Sequence, residues 1–157
     1  MYMTRSDQIL IFTLNEQRYG IPLGVVEKVV LMVEITRLPA GPDFIHGVIN
    51  VHGKILPVLD LRRRFGLPER PARLSDQLII LRCVTRSFAL MVDSVCDVKD
   101  CTGQMQTEGA EIIPDLPFLA AVVKLPDGLI LLQDPEVLLS PGESIAIDEL
   151  IARADLP

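Results

Sequence analysis

The sequence predicts a mainly β protein: two small, related β subdomains with short helices and a C-terminal helix. Three observations predict it. Hydrophobic residues make up 49% of the chain, but aromatics only 4%, and there is no Trp, so a core must be built from Ile, Leu and Val. Ile and Val fit the pleated, half-buried surface of a sheet. Short apolar runs of strand length recur between clusters of Gly, Pro, Asn and Asp. Finally, "VINVHGKILPVLDLRRRF" and "VVKLPDGLILLQDPEVLL" share one plan: apolar strand, Gly turn, apolar strand, Asp, short helix. Such self-similarity half a chain apart is the mark of a duplicated unit.

The elements follow in order. "QILIFTLN" reads as a strand, "EQR" as a turn and "YGIPL" as a second strand. A helical turn near residues 24–27 precedes a strand to about residue 35, and Pro39, Gly41 and Pro42 make a loop. "FIHGVINV" is a strand and His52-Gly53 a turn. "KILPVLDL" is a strand that Pro57 confines to an edge or bulge. Asp60 is placed to cap the short helix "LRRRF", and Gly66 to end it. A loop over 68–75 leads to three strand-like runs, "DQLIILRCV", "RSFALMVDSV" and "CDVKDCTG", and residues 104–117 read as loop. "FLAAVVKLPDGLILLQ" is a hairpin with Asp127-Gly128 at its turn. In "DPEVLLS", Asp134 caps a short helix with Pro135 at its first position. "GESIAIDELIARADL" fits a helix with Ile147, Leu150, Ile151 and Ala154 on one face.

Composition narrows the function. No apolar run reaches the roughly 18 residues that span a bilayer, and "MYMTRSDQ" lacks the apolar stretch of a secretory signal. A cytoplasmic protein without membrane insertion is expected. Cys83, Cys96 and Cys101 are odd in number and hold no Cys-x-x-Cys, as reduced thiols would. Residues 1–75 carry 10 basic and 7 acidic side chains and residues 76–157 carry 5 and 14, so +3 and −9 give the net −6. An acidic whole argues against nucleic acid.

Chemistry is hard to build from these residues. In an extended strand His46, Val48, Asn50 and His52 would face one way. A metal needs three or four converging ligands, and the two histidines are the only ones in the chain. Each is followed by Gly, which fits a bulge or turn instead. There is no Gly-x-Ser-x-Gly elbow and no phosphate loop. Arg62, Arg63 and Arg64 read as the exposed face of one short helix. No enzyme, metal or cofactor is expected.

Longer motifs carry a resemblance. Phe12 is followed by Tyr19-Gly20-Ile21. Phe44-Ile45-x-Gly47-Val48-x-Asn50 runs into Gly53-x-Ile55-x-Pro57-Val58-x-Asp60-Leu61. Over about residues 9–140 the chain resembles the CheW family of bacterial chemotaxis adaptor domains. The resemblance implies two SH3-like five-stranded β-barrel subdomains around a shared hydrophobic core. The first would span about 15–75, the second about 8–14 and 76–140, with a C-terminal helix over 141–157. It also implies a non-enzymatic adaptor with two partners. One is the regulatory domain of a CheA-type histidine kinase. The other is the cytoplasmic tip of methyl-accepting chemoreceptors, which docks near the groove between the barrels.

Carried over by position, the structural motif comprises Tyr19, Gly20, Gly47, Asn50, Gly53, Pro57, Asp60 and Asp134. The partner-binding positions are Val26, Lys28, Val30, Ile45, Val48, Ile49, Val51 and His52, of which Ile45, Val48, Ile49 and Val51 occupy the strand region that the family uses for contacts between its barrels. Lys28 stands where many members have Glu, Val30 where they often have Arg, and His52 where the motif Asn-x-Arg-Gly has Arg. An imidazole is shorter than a guanidinium and lacks its permanent charge. Two alternatives follow from the same residues: a CheW-like scaffold of a motility or developmental pathway, and a small-molecule sensor using the cleft between the barrels.

Overall fold

The structure, a computed structural model, describes residues 8–101, 105–106 and 118–154. Eleven strands alternate with short helical pieces among these residues. They are β1 (Gln8–Leu14), β2 (Gln17–Pro22), a 3-10 turn (Leu23–Val25), β3 (Val26–Leu31), β4 (Ile45–Val51), β5 (Lys54–Asp60) and α1 (Leu61–Phe65). There follow β6 (Gln77–Arg82), β7 (Ser87–Val92), β8 (Ser94–Asp100), β9 (Met105–Gln106), β10 (Leu119–Leu125), β11 (Gly128–Gln133), a 3-10 turn (Pro135–Val137) and α2 (Pro141–Arg153). Of the loop expected over 104–117, only Met105–Gln106 lie within the described residues, and they form β9.

Two sheets result, in the orders β8-β1-β2-β11-β10-β9 and β3-β6-β7-β5-β4. Each is antiparallel except for one parallel pair, β11 with β2 and β5 with β7. The registers show the same plan executed twice. Val26 pairs with Leu81 and Lys28 with Ile80, as Val95 pairs with Phe12 and Asp97 with Ile11; a bulge interrupts both ladders at that point. Gly47 pairs with Val58 and Val51 with Lys54, as Ala121 pairs with Leu132 and Leu125 with Gly128. Val58 lies parallel to Ala89 as Leu132 lies parallel to Gly20. Asp60 N–H donates to the Phe44 carbonyl at 2.8 Å, and Asp134 N–H to the Phe118 carbonyl at 2.9 Å.

The six-against-five count hides a shared design. Thr36 bridges to Val48 beyond the edge of β4, as β9 pairs with β10. Each sheet therefore closes on a short segment that follows one of its own edge strands, which protects edges that would otherwise recruit other chains. Gly47 permits the closure: a Cβ there would lie 2.4 Å from the Thr36 carbonyl oxygen. Gly20 serves the other sheet, where a Cβ would meet Ile9 Cγ2 at 2.5 Å.

The sheets divide the chain differently from the boundaries expected for the subdomains. β2, placed with the first, lies in the six-stranded sheet; β6 and β7, placed with the second, lie in the five-stranded one. Each sheet takes its opening hairpin from one half of the chain and its other strands from the other half. This exchange makes the core continuous. One cluster joins Leu10, Phe12, Tyr19 and Ile21 to Leu59, Ile79, Phe88 and Leu90 between the sheets, and also takes in Ile147 of α2. Separate clusters fill each sheet's own interior, around Ile11 and Val123 on one side and Ile49 and Val58 on the other.

Three local expectations need correction. Pro57 does not mark an edge, since β5 lies between β4 and β7. The β7 ladder starts only at Val58, so the missing N–H leaves no gap in it. The second hairpin turns at Pro126-Asp127, because Leu125 already pairs with Gly128. The three arginines do not share an exposed face: Arg62 is 2% exposed, and each takes a different acid. Asp60 and Asp134 do cap as expected, accepting from Arg62 N–H and Glu136 N–H at 3.0 Å each. α2 starts in a capping box of Ser140 and Glu143. Of its expected apolar face Ile147 is buried, Leu150 and Ile151 are half-buried, and Ala154 follows the last turn.

Candidate interaction surface

Rigid attachment of the two sheets comes first, because it sets the distance between any two surfaces. Asn15 and Glu16 both turn with positive φ, 49° and 68°, between β1 and β2. Asn15 N–H donates to Asp93 at 2.9 Å, and Asn15 Oδ1 accepts from Arg62 Nε at 3.1 Å. Arg62 also pairs with Asp93, and Arg70 reaches both Asp93 at 2.6 Å and the buried Asp76 at 2.5 Å. Burial alone would raise the Asp93 pKa. Hydrogen bonds from Arg62, the Asn15 amide and Arg70 outweigh it and hold the carboxyl below its ordinary value. A buried arginine tolerated only with such partners thus ties the β1–β2 turn to α1.

A second tie holds α2. Arg64 donates to both Glu143 oxygens, at 2.9 and 2.7 Å. Its guanidinium lies 4.1 Å from the Phe44 ring centroid and 4.9 Å from that of Phe118, within cation–π range. Those two Phe residues are the matched positions of the repeat. Arg86 adds Ser144 and Asp148 at 3.1 and 2.8 Å.

On this frame the predicted partner-binding residues separate into three groups. Ile45, Val48 and Ile49 are 9%, 2% and 2% exposed, so the expectation that they contact a partner does not hold. Ile45 belongs to the shared core and Ile49 to the interior of the five-stranded sheet. Thr36 pairs with Val48 over the open side of β4. Sequence alone gave no sign of that cover, because residues 32–36 resemble a continuing strand.

The second group is apolar. The bulge between Val26 and Lys28 sets Val26 and Val29 toward the same side. Both are half-buried against the shared core, as are Leu23, Val25 and Val95. With Phe65, Leu67, Phe118, Leu131 and Ile151 they make up the half-buried margin of the shared core. Val30 instead packs against the interior of the five-stranded sheet. Val29 and Val95 were not singled out from the sequence; only the doubled register reveals that β3 and β8 hold matched places.

The third group is polar. Lys28, Val51 and His52 come together with Glu27, Lys54, Leu56 and Ser87 around a shallow depression of about 200 Å³ at one end of the five-stranded sheet. His52 and Gly53 turn with φ of 51° and 87°, and Asn50 Oδ1 accepts the Gly53 N–H at 2.9 Å. So Asn50 and Gly53 build the turn, and His52 stands exposed on it. Lys28 has Asp97 as its counterpart on β8, so the matched ends of the two sheets carry opposite charge at this place.

The remaining polar residues have structural partners. Tyr19 is buried and stacks on Phe12 and Phe65, with centroids 5.8 and 5.5 Å away; burial raises its pKa. The Cys83 thiol is pushed up to about 12, by burial first and then by Glu136 and Asp134, so it is not a nucleophile at neutral pH. Among the described residues no three His, Cys, Asp or Glu side chains converge as metal ligands.

Comparison with known proteins matches this architecture. The family model of the CheW-like domain matches residues 8–143. Chemotaxis protein CheW of Klebsiella aerogenes is 32% identical over 149 residues, covering 94% of this chain and 90% of that protein. A probable chemotaxis protein CheW of Rhizobium etli is 26% identical, covering 88% and 91%. The crystal structure of the scaffolding protein TtCheW from Thermoanaerobacter tengcongensis superposes with a TM-score of 0.79 at 31% identity, over 88% of this chain and 95% of that one.

Proposed function

The chain belongs to the CheW-like domain family, and from that premise we propose that it is a chemotaxis adaptor which joins receptor to kinase without catalysing a reaction. Its partners are the regulatory domain of a CheA-type histidine kinase and the cytoplasmic tip of methyl-accepting chemoreceptors. The observation that carries this reading is the half-buried aliphatic set Leu23, Val25, Val26, Val29 and Val95, which lies on the margin of the shared core on and beside β3 and on β8. A row of aliphatic side chains flanked by strands suits the apolar face of a helix laid into a groove.

The kinase domain, which the family resemblance gives the same fold, meets the polar end. Lys28 and Lys54, half-exposed and exposed, give that end two cations, with Glu27 and the exposed His52 beside them. Rim charges set the encounter rate and the choice of partner more than the affinity. Between the two surfaces the chain is stiff, through the continuous core, the Arg62–Asp93 pair and the Arg64–Glu143 pair. A stiff spacer lets a shift in the receptor bias the kinase's population. Among the described residues no helix is long and apolar enough to cross a membrane, and the adaptor works at the cytoplasmic face of receptor arrays.

The test is pairwise binding. Receptor signalling fragments and the kinase of the same cell are each sedimented with the protein at up to tens of micromolar. Binding to both is expected. Binding to neither, at low and moderate salt, would rule the adaptor reading out.

A further inference from the structure

The aliphatic set on β3 does not stop at Val29. Val30 and Met32 pack on the interior of the five-stranded sheet, whereas Val29 packs on the margin of the shared core. Successive side chains of an extended segment point to opposite faces, so Leu31 and Val33 share the outer face with Val29. They are 70% and 45% exposed. Leu31 pairs with Gln77. The turn Arg73–Asp76, closed by the Asp76 N–H on the Arg73 carbonyl at 3.0 Å, leads directly into that end of β6. Leu74, at the tip of this turn, is 90% exposed. Single exposed aliphatic residues are ordinary, but a group of them at one end of one sheet marks an interaction site.

The duplicated register supplies an internal control. Val26 and Val29 on β3 match Val95 and Val98 on β8. Two residues further the match ends, and Leu31 takes the place that the exposed Asp100 holds on β8. The other half of the molecule builds the same edge strand with a carboxylate there. The fold itself therefore asks for no apolar side chain at this place.

That difference gives the surface a direction. An apolar helix that continued from the aliphatic set along β8 would cover the Asp100 carboxylate, and desolvating a charge is costly. Continued along β3, it meets Leu31 and then Val33. Allowing for the bulge, Val26 to Val33 spans roughly 20 Å of extended chain. A helix covers that length with about 13 residues, or nearly four turns. The face is also held in shape at both ends. The β6 ladder fixes Val26 to Leu31, and Thr36 exchanges two hydrogen bonds with Val48, at 2.9 and 2.8 Å.

We propose that the receptor-binding surface extends along the outer face of β3, over Leu31 and Val33 to Leu74, and that the docked receptor helix leans toward β3 and away from β8. The inference rests on the adaptor reading and adds the course of the receptor across it. The helix that fits carries apolar side chains at i, i+4, i+7 and i+11, in one stripe.

The test is calorimetry of the full chain with the receptor signalling fragment, with the kinase titrated in parallel. Leu31→Asp should weaken receptor binding about tenfold and Leu74→Ser about threefold, with kinase affinity unchanged in both. Leu31→Asp should fold, because the residue is exposed and the repeat carries Asp at that place; Leu31→Met, which stays apolar, should bind as the unaltered protein does. Methyl NMR of the unaltered protein gives a second readout: the Leu31 and Val33 methyl signals should shift as the fragment saturates it. Binding that Val29→Arg abolishes but Leu31→Asp and Leu74→Ser both leave unchanged overturns the extension and leaves the adaptor reading standing. So do unshifted Leu31 and Val33 methyls at saturation. No receptor binding by the unaltered protein overturns both. If Leu31→Asp changes the sedimentation of the protein alone at unchanged receptor affinity, the face belongs to a second copy of the chain, and the proposal is likewise overturned.

Discussion

Replacing Gly47 with alanine tests the closure of the five-stranded sheet. The added Cβ would lie 2.4 Å from the Thr36 oxygen, 2.7 Å from Ile35 Cγ2 and 3.0 Å from the Thr36 carbonyl carbon. The Ile35 methyl can rotate away. The Thr36 backbone cannot, so the segment must lift from β4. Two hydrogen bonds then break, Thr36 N–H to the Val48 oxygen at 2.9 Å and Val48 N–H to the Thr36 oxygen at 2.8 Å. Each is worth about 1 kcal/mol. Val48 is 2% exposed, so an N–H left unpaired there adds about 1 kcal/mol more. Ile35 also loses part of its packing on the interior cluster, about 0.5–1 kcal/mol. The expected loss is about 3.5–4 kcal/mol, a large share of a typical domain's stability. Urea unfolding measures it, and hydrogen exchange shows the Thr36 and Val48 amides losing protection first. The control is Gly53→Ala, where a Cβ meets nothing within 4 Å and only the positive φ opposes it; about 1 kcal/mol is expected. If Gly47→Ala costs no more than Gly53→Ala, or leaves both amides protected, the closure account is wrong.

Three further outcomes follow from the same structure. His52→Arg restores the guanidinium that the Asn-x-Arg-Gly motif carries on an exposed turn; affinity for a conventional kinase partner should rise about threefold to tenfold, and an unchanged affinity in calorimetry would put the position outside the interface. Asp93 and Glu143 both titrate below their ordinary values, 3.8 and 4.5; at Glu143 burial raises the pKa, but hydrogen bonds from Arg64 and the Ser140 amide outweigh it. Their stabilisation is therefore complete above those ordinary values and fades as pH falls through the lower folded ones, so acid unfolding should set in below about pH 4, and Arg64→Met should flatten that limb. Thiol labelling at pH 8 should strike the exposed Cys96 first and spare buried Cys83, whose thiol stays protonated; fast labelling of Cys83 would contradict its packing.

The repeat of strand, turn, strand, Asp and helix was legible in the sequence because its parts are local: the cap, the turn and the alternation lie within twenty residues. The exchange of hairpins between the sheets was not. β2 and β6 read as strands from either side of the chain's midpoint, and only long-range pairing decides which sheet they join. Gly128 misled for a related reason, since Asp-Gly marks a tight turn while the ladder closes one residue earlier, at Leu125. At the surface, Lys28, Val51 and His52 were found by motif and do meet. Ile45, Val48 and Ile49 belong to the same motif for a different reason: they fill the cores. A motif records every constraint on a segment, and packing is one of them. The fates of Arg62 and Arg64 were illegible because Asp93 and Glu143 come from distant parts of the chain, whereas Arg63 pairs locally, with Glu69 and Asp60.

The central claim is that one molecule bridges two partners through two surfaces. Receptor fragments fixed on beads, with kinase in solution and this protein titrated between them, test it directly. The account predicts kinase capture that rises and then falls as the adaptor exceeds both partners, because excess bridge fills each site separately. Val29→Arg should abolish capture by losing the receptor, and Lys28→Glu should weaken it by losing the kinase, with the other pairwise affinity unchanged in each case. Capture that is independent of the protein, or that both variants leave intact, would contradict the account.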